Sequence, residues 1–385
     1  MRQPCVLHIC GDYPDAFRPN KTPVVMRLVE GLSVYARNIV ISINRVNNPM
    51  DEAVRKEGNI WAIQYFAPAL GFMQSTFLDR LARRLAGLLE EAELSPDMAI
   101  GHKFTIEGYL CWKLWHRLDI PYIACFMGNT DSKIFRVKPH YRKIFRNVAQ
   151  EAKALVFPTP WCSRLFTKDL LQPAGIPENR AHLIPYISVE TLSPIRSSPV
   201  NARRFVTICR LDIWRLKNLH RLIKAIAILN QSDGDWSLDI IGPGSPAAQT
   251  KLTDLISSHA LDQKVHLLGE RSREQINSLL PGYCAMVMPS YPESFGLVYL
   301  EALERGVPIM TARGAGMDGF FPDQFPGVVV AHDQLEDIAQ GLRTLSEKSK
   351  DFRERIQTIA SEFRQFDRQS IISNYARLLE LKEDV

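Results

Sequence analysis

Short apolar runs and longer amphipathic runs alternate along the whole chain. Val6 to Cys10 predicts a first strand, closed by the turn Gly11-Asp12-Tyr13-Pro14, and Val24 to Ala36 an amphipathic helix. Strands follow at Ile39 to Ile43, Ile60 to Phe66, Met98 to His102, Ile120 to Phe126, Leu155 to Pro158 and His182 to Pro185. Helices are expected between them at Phe77 to Leu89, Thr105 to Arg117, Lys138 to Ala152 and Ser163 to Leu171. Strand-helix alternation of this kind predicts a parallel sheet covered on both faces.

The alternation breaks once. Ser188 to Ala202 is rich in Ser and Pro and reads as a linker. It divides a domain at residues 1–187 from a second at 203–366. In the second, strands are expected at Phe205 to Cys209, Leu238 to Ile241, Val265 to Leu268, Cys284 to Met288, Val307 to Thr311 and Val328 to Ala331. Helices are expected at Asn218 to Leu229, Gln249 to His259, Ser272 to Leu280, Gly296 to Glu304 and Leu335 to Lys348. A last helical stretch, Asp351 to Leu381, breaks near Phe366-Asp367, and residues 367–385 are expected to pack back on the first domain. The fold class is therefore α/β, with two Rossmann-like doubly wound domains facing each other across a cleft.

Pro289 to Leu303 is the stretch with the most chemistry. A buried strand runs through a polar turn into a helix that stops at Gly306-Val307-Pro308. The free first-turn N–H groups and the helix dipole favour an anionic or hydroxyl-rich ligand. Glu293 lies before this helix and Glu301 inside it. The helical portion between them rises about 7 Å, close to the span of a diphosphate. Arg210 and Lys217 follow the strand at Phe205 to Cys209, on the same carboxyl edge of the sheet. A guanidinium and an ammonium suit a diphosphate there, the one by bidentate contacts and the other as a point charge. Solvated loop cations are the plainer reading of that pair taken alone. Glu293 and the turns Gly242-Pro243-Gly244 and Gly314-Ala315-Gly316 argue against it.

Charge and composition narrow the picture. Residues 1–190 carry 24 Lys/Arg against 18 Asp/Glu, so the net +5 of the chain resides in its first half. That half is the one to meet an anionic partner or membrane surface. Basic-aromatic interleaving is missing, which argues against nucleic acid. Phe77 to Leu89, with Arg80, Arg83 and Arg84, reads either as a surface helix packed on the sheet or as a membrane-surface helix. Seven cysteines without a CxxC pair suggest reduced thiols, and no apolar run is long enough to span a bilayer. With no signal peptide legible, the expected location is cytoplasmic, with possible membrane association on the inner face.

In order and spacing, the second half resembles the retaining glycosyltransferases of family 4, which have the two-domain GT-B fold. The resemblance rests on Arg210 and Lys217, then Ile241-Gly242-Pro243-Gly244, Val265 to Gly269, Pro289-Ser290, Glu293 with seven residues before Glu301, and Gly306-Val307-Pro308. It implies a nucleotide-sugar donor, with Arg210 and Lys217 stabilising the leaving nucleoside diphosphate without a metal or other cofactor. Glu293 would bind hydroxyls of the transferred sugar. Ser294 and the backbone N–H groups of Phe295, Gly296 and Leu297 would stand beside it. Glu301 would hold the ribose, Gly242 would line the donor site, and the Gly269 to Arg271 turn would lie near the base. The acceptor implied is a glycan or lipid-linked molecule in polysaccharide or lipopolysaccharide assembly.

The first half departs from the family pattern. Gly11-Asp12-Tyr13-Pro14 stands where a Gly-Gly loop is frequent, leaving Gly11 as the donor-side candidate. Met127-Gly128 stands where His-Gly is common. His102 resembles another family histidine and is a catalytic candidate, equally readable as structural. Asp131 and Lys103 are weaker candidates. Three other readings share the architecture: a nucleotide-sugar 2-epimerase, a non-catalytic nucleotide-sugar-binding partner, and a phosphorylase.

Overall fold

The computed structural model describes residues 2–68, 71, 73–187, 195, 201–232 and 234–381. Apart from residues 195, 201 and 202, the expected linker lies outside them. The chain forms two compact units, Met1–Pro158 with Cys162–Glu190 and Gln365–Val385, and Thr159–Trp161 with Thr191–Arg364.

The first unit holds strands β1 (Cys5–Cys10), β2 (Arg37–Val46), β3 (Val54–Glu57), β4 (Ile60–Phe66), β5 (Met98–Gly101), β6 (Tyr122–Cys125), β7 (Ala154–Phe157) and β8 (Ala181–Leu183). They form one sheet in the order β3-β4-β2-β1-β5-β6-β7-β8, parallel except for β3 against β4. Helices α1 (Val24–Leu32), α2 (Gln74–Glu91), α3 (Tyr109–Leu118), α4 (Asn129–Val137), α5 (Arg142–Glu151) and α6 (Pro160–Phe166) connect them. The chain leaves β1 first towards β2 and later returns on the other side to β5. The turns after β1 and β5 therefore sit side by side, at the point where ligands bind in such sheets.

The pattern missed β3 and α4. β3 is an edge strand of Val-Arg-Lys-Glu with three exposed side chains, so it carries no alternation; Lys56 lies 4.1 Å from the Trp61 ring centroid. α4 buries only Asp131 and Phe135, too little for a 3.6-residue period to show. The helix expected from Lys138 begins at Arg142, after a turn at Pro139. The helix expected from Thr105 opens as a wide π turn, Phe104–Gly108. In α2, Leu78, Leu81, Leu85 and Leu89 are buried within the first unit, while Arg80 and Arg84 pair with Glu52. Of the two readings of this helix, the packing fits the surface helix on the sheet, since most of its leucine face is spent within the first unit and is not free to lie in a membrane surface.

The second unit holds β9 (Arg204–Ile208), β10 (Ser237–Ile241), β11 (Val265–Gly269), β12 (Ala285–Val287), β13 (Ile309–Ala312) and β14 (Gly327–Val330) in a parallel sheet ordered β11-β10-β9-β12-β13-β14. Its helices are α7 (Leu219–Ser232), α8 (Pro246–Ser257), α9 (Arg273–Leu279), α10 (Leu297–Glu304), α11 (Leu335–Glu347) and α12 (Ser349–Thr358). Leu222, Ile226, Ile338 and Leu342 from α7 and α11 join Phe205, Leu238 and Val287 in its core. Here the order reverses between β9 and β12. The final helix, α13 (Arg368–Leu378), places Ile371, Ile372 and Tyr375 in the core of the first unit. All seven cysteines are free thiols, six of them buried.

Candidate functional site

The order reversal in the second sheet brings the loops after β9 and β12 together, and these carry most of the residues singled out from sequence. Lys217 Nζ lies 2.6 Å from Glu293 Oε2, and Ser290 Oγ donates to the same oxygen at 3.0 Å. Both side chains of the ion pair are largely but not fully covered. Asn218 staples the two loops behind them: its Nδ2 donates to Pro289 O at 3.0 Å and to His332 O at 2.7 Å. It is buried and has a φ of 61°, a conformation that Asn tolerates better than most residues. Asn218 was not singled out from sequence, and Ser290 entered only through the Pro289-Ser290 motif, with no role given to its hydroxyl. Its position three residues before Glu293 was the clue to the hydrogen bond that the structure shows.

The glycine turns are shaped by close approach. Gly242 has φ 146°, and a Cβ there would lie 1.9 Å from Cys209 O. The turn after β10 thus lies directly on the chain leading to Arg210, and Leu211 N donates to Pro243 O at 2.8 Å. Gly296, at φ 75°, precedes α10, and its Cβ would meet the Tyr299 ring at 2.5 Å. The same ring crowds Gly316, whose N–H donates to Glu293 O at 3.0 Å. Tyr299, anchored by its hydroxyl on Met288 O at 2.6 Å, therefore sets the shape of both turns around Glu293.

The other second-unit candidates occupy distinct places. Arg210 is exposed on the loop after β9. Phe295 is buried edge-on to Phe320, while Ser294 lies before it and Leu297 opens α10. Glu301 lies in the second turn of α10, 3.7 Å from Arg273 Nε, a cation the sequence reading passed over in favour of Arg271. Arg271 is exposed and donates to Glu270 O.

His102 and Gly11 belong to the first unit. His102 is buried, with Nε2 3.1 Å from His8 Nδ1, and His8 Nε2 lies 2.9 Å from Asn38 Oδ1. Burial, reinforced by His8 and Lys103, holds the His102 imidazole well below its usual range, so it is neutral at pH 7. The Gly11 N–H is donated to Glu107 Oε1 at 2.6 Å. Glu107 is fully buried. Desolvation pushes its carboxyl up to about 8, against the lowering influence of Lys103. Lys103 pairs with Asp12 at 2.8 Å. Asp131 is buried too, and accepts from Met127 N, Thr105 N and Thr105 Oγ1 at 2.6–2.8 Å, so it holds two turns of the backbone together. Met127 Sδ accepts a hydrogen bond from the Tyr186 hydroxyl.

Residues 189–363 match the model of the family described as Glycosyl transferases group 1. A D-inositol 3-phosphate glycosyltransferase of Corynebacterium kroppenstedtii is 30% identical over 152 residues, which are 38% of this chain and 33% of that protein. The match thus spans about a third of that relative's own length. The enzyme of the same name from Corynebacterium diphtheriae is 28% identical over 349 residues, covering 79% of each chain. Among solved structures, Anabaena HepE in complex with UDP and glucose superposes with a TM-score of 0.65 at 16% identity, over 98% of this chain and all of the other. That likeness is one of fold. Among the described residues, no helix is long and apolar enough to cross a membrane.

Proposed function

From a second unit that carries a group 1 glycosyltransferase domain, we propose that this protein transfers a sugar, with retention of configuration, from a nucleoside-diphosphate sugar to a carbohydrate or lipid-linked acceptor. The observation that carries this reading is the Lys217–Glu293 pair at the reversal between β9 and β12, walled by the Gly242 and Gly316 turns.

The residues divide the work by charge. Arg210 and Lys217 take the donor diphosphate and stabilise the charge that develops on the leaving nucleoside diphosphate, so no metal is needed. Lys217 and Ser290 occupy Oε2 of Glu293, which leaves Oε1 for hydroxyls of the transferred sugar. Ser294 and the N–H groups of Phe295, Gly296 and Leu297 line the same place, and Gly242 lets the donor approach the backbone. Glu301, oriented by Arg273, holds the ribose, and Arg271 lies towards the base. The acceptor hydroxyl attacks the face from which the phosphate departs, and no enzymic nucleophile is required. The neutral His102 and the Gly11 turn, held by Glu107, belong to the acceptor-side unit. Action on a polysaccharide or lipopolysaccharide precursor, at the cytoplasmic face of a membrane, fits the basic first half.

The test is a thermal-shift panel of UDP, GDP, ADP and their sugars, followed by assay of nucleoside diphosphate release. UDP comes first because HepE was solved with UDP. At 100-fold over Kd a ligand stabilises by about 2.7 kcal/mol, a readily measured rise. A panel in which no nucleotide raises the melting temperature and none is released would overturn the proposal.

A further inference from the structure

The first unit contains a second cavity that the donor site does not use. It opens on the carboxyl edge of the sheet, between the ends of β2 and β4, the start of α2, the π turn after β5 and the exposed side of α4. Its floor and walls are apolar, from Phe77, Leu78, Ile106 and Ile134. Val137, 60% exposed, stands on the lip.

Beside the uncharged polar side chains of Tyr65, Gln74 and Thr130, three cations line this largely apolar space: Arg45, Lys133 and Lys138. Among the described residues no carboxylate pairs with any of them. Arg45 Nη1 donates to the carbonyls of Ala67 and Pro68. Lys133 is exposed. Lys138 is only 9% exposed as a residue, with its ammonium part-buried; Nζ donates to Gly71 O and, at 2.7 Å, to Gln74 Oε1, both uncharged, and lies 5.4 Å from the Tyr141 ring centroid. Desolvation pushes its ammonium below the usual lysine range. A charge partly withdrawn from water is disfavoured unless a counter-charge offsets the lost hydration. A neutral lining does not supply that counter-charge, and a ligand can.

The surroundings favour an anion as well. From Ser132 to Gln150 the chain has six Lys/Arg and no Asp/Glu, and Lys133, Arg136, Arg142, Lys143 and Arg146 are all exposed. A bare phosphate would leave most of the space unfilled, since the cavity with its mouth encloses about 1510 Å³. The lining calls for a ligand with an anionic head and an extended apolar body.

We propose that this cavity binds a lipid phosphate, with Lys138, Lys133 and Arg45 around the phosphate and the hydrocarbon chain against Phe77, Leu78, Ile106 and Ile134. The inference rests on the glycosyltransferase reading only in taking this lipid as the anchor of the acceptor. Binding itself needs no donor.

The test uses the full-length protein and farnesyl phosphate as probe, followed by calorimetry or tryptophan fluorescence. Farnesyl phosphate is expected to bind at least tenfold more tightly than farnesol, and inorganic phosphate to compete only weakly. Lys138→Met and Val137→Glu should each weaken binding tenfold or more. Lys143→Ala, a basic residue outside the cavity, should change it less than twofold. Val137 is exposed, so the Val137→Glu variant carries the test if Lys138→Met fails to fold. Equal binding of farnesol, full competition by inorganic phosphate, or an equal loss in Lys143→Ala would overturn the proposal. A UDP thermal shift on the same samples separates the two readings. UDP binding without farnesyl phosphate binding removes the lipid site alone. The converse removes the donor assignment alone.

Discussion

Lys217 and Glu293, 76 positions apart in sequence, share a 2.6 Å ion pair in which Ser290 donates to the same carboxylate oxygen. The pair joins the residue expected to hold the diphosphate to the one expected to hold the sugar. Lys217→Ala should lower turnover by at least tenfold, while the melting temperature falls by no more than a few degrees, because Ser290 still satisfies Glu293. The pair is largely covered, so what loss there is comes from leaving the Glu293 carboxylate without its cation. Steady-state kinetics beside a thermal melt checks this, and unchanged turnover would remove the diphosphate role.

Glu293→Ala should act differently. It frees Lys217 rather than removing it, so affinity for the nucleoside diphosphate should be kept or rise, while preference among donor sugars weakens. Calorimetry with the nucleoside diphosphate, set against kcat/KM for two donor sugars, separates these effects. Loss of nucleotide affinity equal to that in Lys217→Ala would sink the division of roles.

Gly296 and Gly316 should not tolerate a side chain. Both have positive φ, and both would drive a Cβ into Tyr299. Gly314 also has positive φ, at 70°, but its Cβ would meet open space. Gly314→Ala should therefore carry only the conformational cost of about 1–2 kcal/mol. Gly296→Ala should cost clearly more and disturb donor binding as well. Chemical denaturation of the two variants makes the comparison, and equal losses would show that Tyr299 yields.

The Glu107 carboxyl gives a pH dependence of defined sign. Burial raises it from an ordinary value of 4.5 to about 8 in the folded protein. The neutral acid is thus the form that folding favours. Its contribution is complete below pH 4.5 and is lost as pH rises through 8. Glu107→Gln keeps an acceptor for Gly11 N–H and does not ionise. It should match the wild type at pH 4 and be the more stable protein at pH 8–9. Melting temperatures across that range decide, and parallel curves would mean that the carboxyl is not held neutral.

Asp15 works in the opposite direction. Burial alone would raise its carboxyl, but hydrogen bonds from Asn44, Ser42, Lys21 and the Phe17 N–H outweigh it and bring it down to about 2. Stability from this cluster is present above pH 3.8 and lost as pH falls towards 2. Asp15→Asn should therefore lower the melting temperature at pH 6 and narrow the gap to wild type as pH approaches 2.

Much of this was legible in the chain itself, because apolar period and turn residues are local properties. Strand-helix alternation marked two α/β units, Ile60 to Phe66 emerged as a strand with those bounds, and the acids and cations after β9 and β12 were readable as lying on one edge of the sheet. Segments whose burial is not amphipathic escaped it. β3 is charged and lies on an edge, and α4 is held by the buried Asp131 rather than by an apolar stripe.

What only the tertiary structure decided is pairing across sequence distance. That Lys217 meets Glu293 follows from β9 and β12 being neighbours, a matter of strand order that no local pattern encodes. That Ser290 and Arg273 complete the two acids, that Gly11 donates to a buried Glu107, and that Lys138 has no counter-charge among the described residues are likewise facts of three-dimensional packing. The sequence by itself determined which groups are present and on which sheet edge they fall. The fold determined which of them touch, because hydrogen bonds and ion pairs act over a few ångströms while the residues that make them lie tens of positions apart.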